Sequence, residues 1–128
     1  MLVSRDCYDA VRGFDEGYNF YFEDADFCRR VRAAGYDVRY EPSARVIHFG
    51  GASQEDGDPR VKRWYRLGQA RYYALHRGRI SFWFLKLYFF VKFVLVRFPR
   101  STQHADMVRL FRELRRVPFA DGAYRPPQ

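Results

Sequence analysis

Residues 21–36 read Tyr-Phe-Glu-Asp-Ala-Asp-Phe-Cys-Arg-Arg-Val-Arg-Ala-Ala-Gly-Tyr, and their order spells a helix with both of its ends. Three carboxylates, Glu23, Asp24 and Asp26, crowd the front, where the partial positive charge of a helix N-terminus favours them. Phe27, Val31 and Ala34 share one face, Arg29, Arg30 and Arg32 lie toward the C-terminal end, and Gly35 suits the left-handed residue that stops a helix. The spacing predicts a helix starting at Asp24 or Asp26 with an acidic N-cap, and assigns Asp26 to capping. So dense a carboxylate run between aromatic residues is costly unless a helix terminus, a metal or a substrate hydroxyl uses it.

Beyond Gly35, Tyr36, Val38 and Tyr40 alternate with Asp37, Arg39 and Glu41, the period of a half-buried strand that Pro42 would end. A second short strand is expected from Ala44 to Phe49, closing on Gly50-Gly51. Upstream, residues 2–12 suit a short strand running into a helical turn, and Gly13-Phe14-Asp15-Glu16-Gly17 suits a loop built on acidic turn formers. Residues 1–58 are thus α/β in character. After a polar linker from Ser53 to Pro59 the texture changes to long helices: Val61 to Leu75 with Pro59 in the first turn, residues 80–98, and Ala105 to Val117. The expected organisation is an α/β unit over 1–58 and a mostly helical, aromatic and basic extension over 59–128.

The 128 residues, one fifth of them aromatic, suffice for one domain or part of a larger one. The net charge of +8 hides a segregation. Residues 1–58 carry seven Arg or Lys against twelve Asp or Glu, and residues 59–117 carry fifteen against two. A basic half studded with aromatic residues suits an anionic surface, phospholipid or nucleic acid. No RNP-like, helix-turn-helix or zinc signature accompanies it, which disfavours nucleic acid. Cys7 and Cys28 form no CxxC and no paired framework, so a reducing compartment is expected, and residues 1–5 do not read as an export signal.

Residues 80–98, ISFWFLKLYFFVKFVLVRF, hold fifteen apolar residues together with Lys86, Lys92 and Arg97. Apolar contributions of roughly −0.3 to −0.6 kcal/mol each are nearly cancelled by charges costing about +2.5 to +3.5 kcal/mol near a helix centre. Spanning insertion is marginal on those figures. A helix lying at the membrane interface with snorkelling lysines and a buried core helix are equal readings.

From Gly13 to Ser53 the chain reads GFDEGYNFYFEDADFCRRVRAAGYDVRYEPSARVIHFGGAS. It resembles the C-terminal part of the catalytic domain of family-2 glycosyltransferases, the bacterial rhamnosyltransferase-like group in particular. Those enzymes have a GT-A fold and a pattern like GGFDE followed by YFEDxDLCxRxxxxGYxxxYxPxAxVxHxxGxS. Arg12 stands where the first glycine of GGFDE is usual, and Phe27 replaces a common Leu. The family's DxD motif, which belongs to an earlier nucleotide-binding half, has no counterpart here. Asp56-Gly57-Asp58 has that spelling but lies in a polar linker and reads as a solvated turn. The start looks like the interior of the family's GAxMLVRR strand, so the expectation is an acceptor-side piece of an enzyme, inactive alone.

The resemblance implies an inverting transfer of a sugar from a nucleotide-sugar donor to a lipid-linked or polysaccharide acceptor, at the cytoplasmic face of the cell membrane. Asp24 takes the place of the general base, and Glu23 beside it would raise Asp24's proton affinity by like-charge repulsion and orient the acceptor. His48 matches a histidine that helps to bind Mn²⁺ or Mg²⁺. From spacing alone Asp24 is also a helix-capping carboxylate, Glu23 a solvated loop acid and His48 a core or edge histidine. Cys28, with no adjacent base, reads as a small packed residue. The rival from another class is a non-catalytic basic module that binds anionic membrane or nucleic acid.

Overall fold

In a computed structural model, residues 1–47, 59–96 and 102–117 are described. Ser4 opens the first helix by accepting the Cys7 N–H on its hydroxyl at 3.3 Å, and α1 runs Arg5–Ala10. No strand precedes it, contrary to the reading of residues 2–12. Its C-terminus closes with Gly13 N–H on the Tyr8 carbonyl at 2.9 Å and Arg12 N–H on the Asp9 carbonyl at 3.0 Å, the paired bonds that require a left-handed residue between them. That residue is Arg12, at φ 57°. The glycine of the GGFDE pattern therefore has a backbone reason, and a side chain there costs about 1–2 kcal/mol.

The helix foreseen from residues 21–36 is α2, Glu23–Ala33. Its end is the one expected: Gly35 sits at φ 88°, its N–H bonds the Arg32 carbonyl, and Tyr36 N–H bonds the Val31 carbonyl, both at 3.1 Å. Its beginning differs. The N-cap is Phe22, with no side-chain cap, and not an aspartate. Phe27 and Val31 pack on Cys7 of α1 and on Val11 at its C-cap, with Val3 and Ala34 at the edge. Phe14 stacks on Phe27 at a centroid distance of 4.6 Å and draws the 13–17 loop onto this small core.

Residues 36–47 belong to no ladder and hold a turn at 42–43, and the described residues contain no strand. Strand alternation is present, yet a strand exists only when its N–H and C=O groups find a neighbour, and none of the described residues offers one. Tyr40 and Val46 accordingly lie about nine-tenths exposed. Pro42 lies in a turn in which Ala44 N–H bonds the Glu41 carbonyl at 3.2 Å.

The basic half folds as three helices, α3 (Pro59–His76), α4 (Gly78–Val96) and α5 (Thr102–Leu114). Gly78, at φ 78°, lets the chain turn from α3 into α4 after the single residue Arg77. Ala70 and Ala74 of α3, Phe82, Leu85 and Phe89 of α4, and Leu110 and Leu114 of α5 form the buried core. Only one face of α4 is used in it. Ile80, Trp83, Phe84, Leu87, Tyr88, Phe90, Val91 and Val94 stay exposed on the other. Among the described residues no helix is long and apolar enough to cross a membrane.

Candidate active site

Phe20-Tyr21-Phe22 delivers the chain to α2 through two consecutive left-handed aromatic residues, Tyr21 at φ 65° and Phe22 at φ 73°. Each such residue costs about 1–3 kcal/mol and persists only where its surroundings over-determine it. Here α3 does so. Tyr21 meets Tyr65 edge-on at 5.5 Å, Phe22 meets Tyr65 at 5.2 Å and Tyr72 at 5.9 Å, and Phe20 meets Trp64 at 6.5 Å. Gly68 of α3 faces the turn, and a Cβ there would lie 2.7 Å from the Tyr21 carbonyl oxygen. The strained turn and the glycine are a matched pair.

The turn sets Glu23 and Asp24 as the first two residues of α2. Asp24 is exposed and accepts the Ala25 N–H on Oδ1 at 2.7 Å. Glu23 is half-buried, and its Oε2 is shielded from solvent with no hydrogen-bond partner among the described residues. One carboxylate thus faces outward at a helix N-terminus, while the other turns an acceptor oxygen into the protein, where no described residue bonds it.

Asp26 does not cap the helix. It lies in the first turn, three residues after Glu23, with its side chain 1% exposed and directed to α3. Its Oδ2 accepts Arg30 Nε at 2.7 Å, and its Oδ1 accepts His76 Nε2 at 2.6 Å and, in a long contact of 3.4 Å, the Tyr18 hydroxyl. Arg30 Nη1 donates to the Val11 carbonyl at 2.6 Å, so this network joins α1, α2 and α3. Burial by itself would raise the Asp26 carboxyl, but the hydrogen bonds from His76 and Arg30 and their charge outweigh it and hold the group below its ordinary value. Burial, with the Asp26 charge beside it, pushes the Tyr18 hydroxyl above the usual phenol range, so it remains a donor.

Beside this network Arg71 of α3 grips Asp15 with Nε on Oδ2 at 2.9 Å and Nη2 on Oδ1 at 2.9 Å, while Asp15 Oδ1 also accepts the Gly17 N–H at 2.8 Å. The acidic turn formers of the 13–17 loop are therefore also its anchor. A Cβ on Gly17 would lie 2.2 Å from the Arg71 guanidinium carbon, so a larger residue there would push the guanidinium off its present position on Asp15.

Tyr18, Arg30, His76 and Gly68 are the residues that sequence reasoning passed over. For Asp26 and Arg30 the i,i+4 spacing, and their places as fixed letters of the YFEDxDLCxR pattern, carried the signal. His76 lies 50 residues from Asp26, and no local pattern points to it. Cys28 is a half-buried free thiol and Cys7 a buried one. No group of three His, Cys, Asp or Glu side chains able to hold a metal occurs among the described residues. His48, the expected ligand, and Asp56-Gly57-Asp58 lie outside the described residues.

No protein-family model and no solved structure matches this chain. Among curated proteins it is 35% identical over 77 residues to the rhamnosyltransferase WbbL of Escherichia coli (strain K12), covering 60% of this chain and 29% of that protein. It is 46% identical over 48 residues to N-acetylglucosaminyl-diphospho-decaprenol L-rhamnosyltransferase of Mycobacterium tuberculosis (strain H37Rv), covering 38% of this chain and 16% of that one. An uncharacterized protein, y4gI of Sinorhizobium fredii, is 38% identical over 64 residues, 49% of this chain and 7% of its own length. The chain spans less than a third of the length of each of these relatives, and over the matched stretch it is glycosyltransferase-like.

Proposed function

We propose that the chain carries the acceptor side of an inverting glycosyltransferase of GT-A type, which moves a sugar from a nucleotide-sugar donor to a lipid-linked or polysaccharide acceptor. One observation carries the reading: a strained aromatic turn presents Asp24 to solvent at the start of a helix, while Asp26, two residues on, is locked inside. Strain of this kind, maintained by α3, fits a site that must hold one carboxylate in a set position. The partial likeness to rhamnosyltransferases supports the same reading. Residues 36–41, whose alternation has no ladder partner among the described residues, suit an addition to the sheet of such a domain.

In the proposed reaction the acceptor hydroxyl donates a hydrogen bond to the Asp24 carboxylate. As the acceptor oxygen bonds the anomeric carbon, the bond to the nucleoside diphosphate breaks on the opposite face and the hydroxyl proton passes to Asp24. Glu23, half-buried beside Asp24, would accept a second hydroxyl of the acceptor on the part of its carboxylate that remains accessible and fix its orientation. Mn²⁺ or Mg²⁺ held in part by His48 belongs to the proposal, but the described residues include no ligand set for it. None of these steps passes through a metal.

A chimera tests the assignment: this chain's residues replace the matched stretch of the Escherichia coli rhamnosyltransferase, and sugar transfer is measured with and without Asp24→Asn. The amide keeps size and polarity but accepts no proton, so kcat should fall by about 10²–10⁴ with donor KM nearly unchanged. Retained donor binding and an unchanged melting profile show that the chimera is folded. A near-normal kcat in the folded variant would return Asp24 to a helix-terminal carboxylate and nothing more.

A further inference from the structure

Between α4 and α5 runs a groove of about 480 Å³, within the range of small-molecule sites. Trp83, Leu87, Phe90 and Phe111 line it, and two cations, Lys86 and Arg115, line it with them. Lys86 Nζ stands 4.4 Å from the ring centre of Phe82 and 5.6 Å from that of Trp83, so its stem lies along aromatic surface with the charge held beside the groove. Leu87 and Phe90 also belong to the exposed apolar face of α4, which continues through Phe84 and Val91. The sequence of α4 contains no acidic residue.

We infer that this groove seats one acyl chain of an anionic phospholipid, with the phosphate between Lys86 and Arg115 and the exposed face of α4 against the surrounding bilayer surface. Charge complementarity selects the occupant. The groove combines apolar walls with two cations and so suits an apolar chain that carries an anion, and the strip beside it suits a surface that accepts aromatic side chains. An acidic protein partner would match the cations but not the strip. The strip cannot serve by spanning, since no described helix is long and apolar enough. The inference builds on the membrane-face location that the family resemblance implies and rests on the glycosyltransferase reading only for that, without requiring Asp24 to be the base, so the two fail separately.

The chain has two tryptophans, Trp64 and Trp83, and Trp64→Phe leaves Trp83 as the sole emitter at the groove. Vesicles of phosphatidylglycerol brominated in the acyl chain should quench it at physiological salt, and vesicles of brominated phosphatidylcholine should not. Each cation near an anionic surface is worth about 1 kcal/mol, so Lys86→Gln with Arg115→Gln should weaken partitioning about 30-fold. Arg29→Gln with Arg32→Gln changes net charge equally on the exposed face of α2 and should weaken it less than about 3-fold. Equal losses in the two double variants would show general electrostatic attraction and overturn the site. Absent quenching, quenching equal in phosphatidylcholine, or a dimer whose Trp83 ignores vesicles because a second copy fills the groove would overturn it too.

Discussion

Replacing Asp26 by Asn isolates the buried network, because the amide keeps the shape of the side chain and removes only its charge and half of its accepting capacity. Arg30, with its side chain 7% exposed, would lose the Asp26 charge, and the new NH₂ group would face a donor, either Arg30 Nε or His76 Nε2. Removing one partner of a buried ion pair costs about 3–5 kcal/mol, a large share of the roughly 5–15 kcal/mol that a domain has in total. In urea, where the slope for small proteins is about 1–3 kcal/mol per molar, the midpoint should fall by about 2 M. Acid titration supplies an independent reading. The Asp26 carboxyl is depressed in the folded chain, so the unfolded chain binds more protons. Its stabilising contribution is complete above the unfolded value near 4 and is lost as pH falls through the folded value. The Asn variant lacks that titration and should show a shallower loss of stability below about pH 4. A midpoint shift under about 0.5 M, the size expected of an exposed pair, together with an unchanged acid slope, would refute the buried-network argument.

Arg12→Gly relieves the left-handed residue at the end of α1 and should raise the urea midpoint by the equivalent of about 1 kcal/mol; a neutral or lower midpoint would mean that the Arg12 side chain makes good its strain elsewhere. Gly68→Ala places a methyl 2.7 Å from the Tyr21 carbonyl oxygen, so backbone must move. It should cost about 1–3 kcal/mol and, in the chimera, lower kcat without contact to substrate, whereas wild-type turnover would show that the position of Asp24 does not depend on this turn.

What was legible in the amino-acid sequence was local. The stop of α2 at Gly35, the loop at 13–17 and the proline-started α3 all follow from rules that act within a few residues, capping, turn chemistry and helical period. The start of α2 was misread for an equally local reason. Aspartates are the usual caps, but the chain enters through left-handed Tyr21 and Phe22, and only the aromatic residues of α3 make that entry tolerable.

The same distinction runs through the candidate site. The sequence by itself determined which residues carry charge, and the family resemblance singled out Glu23, Asp24 and His48. Only the tertiary structure decided that Asp24 faces solvent while Asp26 faces His76, 50 residues away, since burial depends on which helix packs against which face. The alternation in residues 36–40 determined where a strand could form, but a ladder needs a neighbour that no local pattern provides. For α4 the sequence determined an aromatic surface too large to hydrate, and packing against Ala70 and Ala74 of α3 and against α5 decided which half of it is hidden. An apolar side chain's preference for burial is intrinsic, whereas the face that satisfies it is a property of the neighbours.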